Sequence, residues 1–272
     1  MQKIILITGS TDGIGLETAK MLASKGYHIL LHGRSKNKIE HAEKSLKDIS
    51  DSVRVDSYLA DLSNLSDVAA MAEAIVERHN KLDVLINNAG VLKTPEPVTQ
   101  NGLDLRFVVN TFAPYLLTQK LLPLLGETGR VINLSSAAQS PIDMQALAGQ
   151  VRLHDDLNAY AQSKLAITMW SRGMALSLKG KGPVIIAVNP GSLLATKMVK
   201  EGFGMAGNDI RIGADILCRL SLSDEFASAT GLYFDNDSGQ LANPHQDALD
   251  TEKCEKIIEA IENVITEVIH NS

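Results

Sequence analysis

Cysteine is almost absent from this chain: Cys218 and Cys254 are the only two among 272 residues. They stand far apart, which argues against a disulfide framework and a thiolate metal site. The seven histidines are scattered, and no metal centre is expected. Basic residues are not in excess either. Lys and Arg total 26 against 32 Asp and Glu, a formal net charge of −6, so no nucleic-acid partner is expected. No apolar run approaches the length that spans a bilayer, and no membrane segment is expected. The sequence reads as a strand from Lys3 onward, leaving no room for a signal peptide. A soluble, cytoplasmic protein is the expectation. Repeats, low-complexity tracts and linkers are also missing, so residues 1–272 read as one domain.

What the chain does have is apolar sequence in regular order. Hydrophobic residues make up 44% of it, enough to bury a sizeable core. Short apolar runs predict strands over 3–8, 28–33, 53–62, 82–87, 130–135, 183–189 and 231–236. Amphipathic stretches between them predict helices over 13–25, 36–49, 64–79, 103–122 and 157–178. Continuous apolar strands alternating with helices mean a parallel sheet buried on both faces. Right-handed crossovers then wind helices onto both sides. The expected fold is α/β: a single-domain doubly wound Rossmann fold with a parallel sheet of about seven strands. After Pro244 a final helix over 247–270 carries Ile257, Ile258, Ile261, Val264, Ile265, Val268 and Ile269 on one stripe, read as core packing ahead of an oligomer contact.

"LITGSTDGIGLETA" (6–19) follows the first strand and opens the first helix, with Gly9, Gly13 and Gly15 spaced G-x-x-x-G-x-G. One glycine makes the tight turn, one lets backbone approach a pyrophosphate, and one lets helix and strand pack closely, while the helix N-terminus faces the anion. Gly9, Ser10, Thr11, Gly13, Ile14 and Gly15 are therefore candidate cofactor contacts; an ordinary Gly-rich turn is the plainer reading. At the end of the second strand an NAD site usually carries an acid for the ribose 2′-hydroxyl. Here Arg34 stands in that stretch and the first acid is Glu40, inside the next helix. A guanidinium can bind a 2′-phosphate bidentately, so NADP(H) is favoured and NAD(H) remains possible. Asp61 and Leu62 end the third strand, where Asp61 can accept from an adenine amino group or simply cap the 64–79 helix.

In "NAYAQSKLAI" (158–167), Tyr160 and Lys164 stand one helical turn apart. The spacing suits a surface pair worth a few tenths of a kcal/mol. It equally suits an ammonium that acidifies a phenol: at about 4 Å and an effective dielectric of 20, roughly 4 kcal/mol, a ceiling near three pKa units. The pair alone does not decide between these.

"TGSTDGIG" (8–15), "NNAG" (87–90), Asn110, "LSS" (134–136), "YAQSK" (160–164) and "NPG" (189–191) occur in one order over nearly the whole chain. In this the sequence resembles the short-chain dehydrogenase/reductase family. The resemblance implies that Tyr160 exchanges a proton with a substrate carbonyl or alcohol, and that Lys164 also binds the nicotinamide ribose. Ser136, which the resemblance favours over Ser135, would hydrogen-bond the substrate oxygen. Asn110 would hold a relay water on its backbone carbonyl. Pro114 falls where a regular helix would take up that carbonyl and has no N–H to do so, although a tolerated kink is the plainer view. Asn87, Ala89 and Gly90 would pass beside the cofactor ribose, and Pro190 and Gly191 beside the nicotinamide. Helices around 103–122 and 157–178 are similar to those the family uses for subunit contacts, implying a homo-oligomer, dimer or tetramer.

Two stretches depart from the family pattern. The 140–158 segment is extended, as in retinol-dehydrogenase-like members, and is expected at the substrate rim; His154, Asp155 and Asp156 are read as solvated loop. The threonine after Pro-Gly comes late, at Thr196, which puts its cofactor contact in doubt. The Gly- and Met-bearing stretch 192–208 is read as a substrate lid that excludes water, and its composition favours an apolar substrate. The expected activity is NADP(H)-dependent interconversion of an alcohol and a carbonyl on a small molecule. A catalytically silent dinucleotide sensor is the alternative, and an S-adenosylmethionine methyltransferase a third possibility.

Overall fold

The computed structural model describes residues 2–50, 52–178 and 180–270. Met1, Asp51, Lys179, Asn271 and Ser272 of the expected 1–272 domain lie outside the described residues, as does the side chain of Phe203 in the expected lid. The first half of the chain runs β1 (Ile4–Ile7), α1 (Gly13–Ala23), β2 (His28–Gly33), α2 (Lys36–Lys47), β3 (Val55–Leu59), α3 (Leu65–Arg78) and β4 (Val84–Asn87). Then come α4 (Leu105–Phe107), a π-helical turn (Val108–Phe112), α5 (Ala113–Leu125), β5 (Arg130–Leu134), the short α6 (Met144–Leu147) and α7 (Asp156–Ser177). The chain closes with β6 (Val184–Asn189), α8 (Lys197–Phe203), α9 (Arg211–Leu222), β7 (Tyr233–Asp235), β8 (Gln240–Ala242) and α10 (Thr251–His270).

The sheet has eight strands in the order β3-β2-β1-β4-β5-β6-β7-β8. The first seven are parallel, as expected; β8 is an added antiparallel edge strand paired with β7. Alternate side chains face two cores. Leu6, Leu30, Leu85 and Val131 point to the core shared with α3, α5, α7 and α10. Ile5, Ile7, Ile29, Leu31 and Ile132 point to the core under α1, α2 and α9. Strands buried on both faces must be apolar at every position, which is why they read as continuous hydrophobic runs rather than alternating ones. The chain winds outward from β1 through β2 to β3 and returns to β4, so the strand order reverses between β1 and β4. In open α/β sheets the crevice at that point, outside the strands' C-terminal ends, is where ligands bind.

Three elements differ from expectation. The third strand stops at Leu59 rather than running to 62. The predicted helix over 103–122 is divided at the π turn, where Ala113 donates its N–H to the Val108 carbonyl, five residues back. Pro114, second in α5, cannot close a regular turn onto Asn110, and the wider turn absorbs the missing donor. The third difference is at the helices thought to make a subunit contact. The stripe of α10 packs on α7: a Cβ on Gly173 would lie 2.6 Å from Ile258 Cδ1, and Tyr115 of α5 donates to Glu262 Oε1 at 2.5 Å. Between Ala159 and Ala175 no residue of α7 is exposed. The chain's own C-terminal helix and core thus occupy the faces of α7 that were expected at a subunit contact.

His28 and His32 stand four apart, a spacing that joins two ligands on a helix. Here they sit at opposite ends of β2, roughly 13 Å apart along a strand. His28 pairs with Asp56 at 2.8 Å, while His32 serves the glycine turn described below. Among the described residues no helix is long and apolar enough to cross a membrane.

Candidate active site

The C-terminal ends of the parallel strands border a cleft of about 360 Å3. Its floor is the turn after β1. Gly9 and Gly13 adopt φ of +63° and +58°, which residues with a Cβ rarely take. Gly15 serves differently: a Cβ there would collide with the Gly9 carbonyl and with Asn88 Nδ2. Asp12 caps α1 by accepting from Gly13 N at 2.8 Å, so the helix N-terminus opens onto the cleft.

His32 holds this turn from behind. Its Nδ1 accepts the Gly9 N–H at 3.0 Å and its Nε2 meets the Ala60 carbonyl at 3.2 Å. One ring nitrogen must accept and the other donate, which only the neutral imidazole can do. Burial agrees, pushing its pKa down to about 4. The unfolded imidazole, near 6.5, therefore takes a proton that the folded one refuses as pH falls from 6.5 towards 4. Stability is lost across that window, by roughly 3 kcal/mol at most. Urea unfolding at pH 7 and pH 4.5 should show a steeper acid loss for the natural chain than for His32→Leu; equal slopes would remove this account.

The turn after β4 closes the cleft. Thr8 Oγ1 accepts from the N–H groups of Asn88 and Ala89 at 3.0 and 3.1 Å. Asn88 Nδ2 donates to the carbonyls of Thr8 and Gly9 at 2.8 and 3.1 Å. Asn88, Ala89 and Gly90 line the cleft; Asn87 does not. Its amide is buried below, donating to Thr118 and Asn133. Ser10 is likewise turned inward, fully buried and exchanging hydrogen bonds with the His32 backbone. The side chains of these two expected cofactor contacts therefore face away from the cleft. Thr11, Ile14, Arg34, Asp61 and Leu62 line the cleft as expected, joined by Lys38. Lys38 follows Arg34 by four positions and could have been read from that spacing. Asp61 Oδ1 accepts from Ser63 N and Oγ at 2.9 and 2.7 Å.

The other wall is α7 and the end of β5. Tyr160 and Lys164 both line the cleft, and Lys164 Nζ lies 5.5 Å from the Tyr160 ring centre. Burial leaves Lys164 with a pKa pushed down to about 7; its Nζ donates to the Leu134 carbonyl at 2.6 Å. Burial pushes the Tyr160 phenol up, and a hydrogen bond from Ser136 works the other way. The expected acidification of the phenol by Lys164 is thus corrected. The amine stands over the ring, and burial is the largest influence on both groups.

The two serines separate clearly. Ser135 Oγ is buried and committed to α7, bonding the Lys164 carbonyl and Thr168 Oγ1. Ser136 is the one that reaches Tyr160. Asn110 lies beneath, tied to the turn after β4 and to α7: its Oδ1 accepts from Val91 N, and its Nδ2 donates to the Val91 carbonyl and to Ser163 Oγ. A Cβ on Gly90 would come within 3.3 Å of Asn110 Oδ1 and 3.5 Å of Lys164 Nζ, so glycine lets these groups approach. Sequence reading missed Arg106. It is fully buried, pairs with the α4 cap Asp104 at 2.6 Å and also bonds Asp156 in the first turn of α7. Asp156 is therefore an anchor of the helix bearing Tyr160, and Asp155 is that helix's N-cap; neither is plain solvated loop.

The 192–208 stretch meets the cleft through Thr196, Lys197 and Met198. Leu194 and Asn208 form a bridge, and between them Thr196 caps α8 by accepting from Val199 N at 3.2 Å. Thr196 and Met198 line the cleft, with Thr196 Cγ2 3.9 Å from the Cβ position of Gly13. Pro190 lines it and Gly191 does not; Gly191 takes φ of +122° at the loop's base.

A model of the short chain dehydrogenase family matches residues 3–206. Human retinol dehydrogenase 13 is 32% identical over 251 residues, covering 86% of this chain and 76% of its own. A chloroplastic short-chain dehydrogenase TIC 32 B of Brassica napus is 28% identical, covering 93% and 85%. An uncharacterised Mycobacterium paratuberculosis protein superposes with a TM-score of 0.81 at 25% identity, covering 97% and 94%. A Shigella flexneri short-chain dehydrogenase, solved with NADP, gives a TM-score of 0.68 at 26% identity, covering 86% and 97%. With the family model matched over three quarters of this chain, and a relative 32% identical over most of it, this chain belongs to the short-chain dehydrogenase family and is an oxidoreductase.

Proposed function

We propose that this protein is an NADP(H)-dependent oxidoreductase that interconverts a carbonyl and an alcohol on an apolar small molecule. The observation that carries the reading is that Tyr160 and Lys164 share one cleft with the glycine turn, with Ser136 hydrogen-bonded to Tyr160. The cofactor fits what is there: positive-φ glycines, a helix N-terminus open to the cleft, and Arg34 with Lys38 beyond the second strand. The bound nicotinamide would supply or accept the hydride. Glycine backbone and the α1 N-terminus hold the pyrophosphate, and Arg34 and Lys38 hold a 2′-phosphate. The Shigella relative's NADP supports that choice.

Tyr160 delivers the proton to the substrate oxygen. A phenol kept protonated by burial suits reduction of a carbonyl, and Ser136 donates to the same oxygen as charge develops there. Lys164 orients the ribose. We assign the relay water to the Asn110 carbonyl, since Pro114 has no N–H to claim it. An unchanged solvent isotope effect in Pro114→Ala would remove that assignment. Val91, Val109, Leu134 and Met198 give the cleft apolar walls, in keeping with a relative named for retinol.

The test is oxidation of NADPH and NADH against a panel of aromatic and long-chain aldehydes and ketones. NADPH should be preferred, and Arg34→Glu should reverse the preference by about tenfold or more, the value of one charge-assisted hydrogen bond plus repulsion. Equal use of both cofactors by the natural chain would undo the phosphate assignment. Cofactor binding with no turnover across the panel would favour the silent sensor.

A further inference from the structure

The loop that carries Ser136 has a support that no motif contains. Ser135 makes the last ladder bond of β5, donating its N–H to the Val188 carbonyl at 2.8 Å. Ser136 lies one residue beyond, and its carbonyl is held by side chains instead. Tyr233 Oη donates to it at 3.1 Å from β7, two strands away. Gln139 Nε2 donates to it at 2.9 Å. The Gln139 Oε1 accepts the N–H of His245, just ahead of the C-terminal helical segment.

We propose that Tyr233 and Gln139 are positioning residues for Ser136, fixing its peptide so that its hydroxyl stays on the reacting oxygen; the proposal rests on the oxidoreductase reading of Ser136. The Ser136 Oγ accepts the Ala138 N–H at 3.1 Å, which leaves its own hydrogen to donate. The place of that hydroxyl follows the backbone that carries it, and the backbone is held through its carbonyl. Removing one donor lets the peptide tilt, and a hydrogen bond weakens steeply once its angle closes. Tyr233 is 6% exposed, and its hydroxyl could merely be satisfying itself. That dull possibility makes a different forecast.

The experiment is Tyr233→Phe and Gln139→Leu, each in the natural chain and in Ser136→Ala. Tyr233→Phe should lower kcat by about tenfold, a fraction of an ångström of misplacement, with the KM for NADPH within about twofold. In Ser136→Ala the same change should cost nothing further, because it acts through the serine. Amide exchange at Ala138 should quicken while the melting temperature holds. An unchanged kcat in Tyr233→Phe, or an equal loss with and without Ser136, overturns the proposal. If the natural chain reduces no carbonyl tested, the oxidoreductase assignment of substrate fails separately, and the exchange measurement decides: unchanged protection at Ala138 overturns the positioning role. Should Tyr233→Phe not fold, Gln139→Leu on the half-buried loop gives the same readings.

Discussion

Tyr160→Phe is expected to bind NADPH normally and to lose turnover by about a hundred- to ten-thousandfold, the range for deleting a positioned proton donor. The change removes one oxygen and keeps the ring on which Lys164 Nζ rests, 5.5 Å from its centre. Nothing in the glycine turn, the Arg34–Lys38 corner or the Asn110 anchor is touched. Loss should therefore appear in kcat, with cofactor affinity by fluorescence titration within about twofold. Turnover that survives the substitution would show that the phenol is not the proton donor, and the chemistry would have to be sought elsewhere in the cleft.

Lys164→Met should abolish most activity and at the same time stabilise the cofactor-free protein. The lysine is 3% exposed, has one hydrogen bond from Nζ, to the Leu134 carbonyl, and has its pKa pushed from 10.5 down to about 7 by burial. The sign follows from proton counts. The unfolded amine stays charged up to about 10.5, whereas the folded one resists charging, so the unfolded chain binds more protons between pH 7 and 10.5. The penalty on the fold is full at and below pH 7 and fades as pH rises through that window. Replacing the amine with an apolar chain of similar length removes it, a gain on the order of 3 kcal/mol and roughly 6 °C in melting temperature. The gap between variant and natural chain should narrow from pH 7 to pH 9.5 in thermal melts. Equal melting temperatures at pH 7 would mean that the amine is not desolvated in solution. A site that stores such a penalty is using stability for function.

Much of this was legible because it is local. The G-x-x-x-G-x-G turn and the Tyr160–Lys164 pair are set by spacing along one element, and the alternation of strands and helices is set by hydrophobic period. Arg34 was found by its place at a strand end. What misled were cases where a neighbour in sequence is not a neighbour in space. Ser10 and Asn87 sit inside the motifs yet turn away from the cleft. Asn88, one residue on, ties the β1 and β4 turns together. Pro114 was recognised as unable to close a helical turn, but the π turn it accompanies needed the packed structure to appear.

The sequence by itself determined the doubly wound sheet, the position of the cleft at its strand ends, and the residues able to do proton and anion chemistry, since each depends on order and period along the chain. Only the tertiary structure decided which serine faces Tyr160, that α7 is enclosed by the chain's own C-terminal helix, and that His32, Arg106 and Tyr233 brace the site from distant elements. It also set the direction in which burial shifts Tyr160 and Lys164. The reason is common to all of these: desolvation and hydrogen bonding are set by what surrounds a group in three dimensions, and those surroundings come from residues tens of positions away.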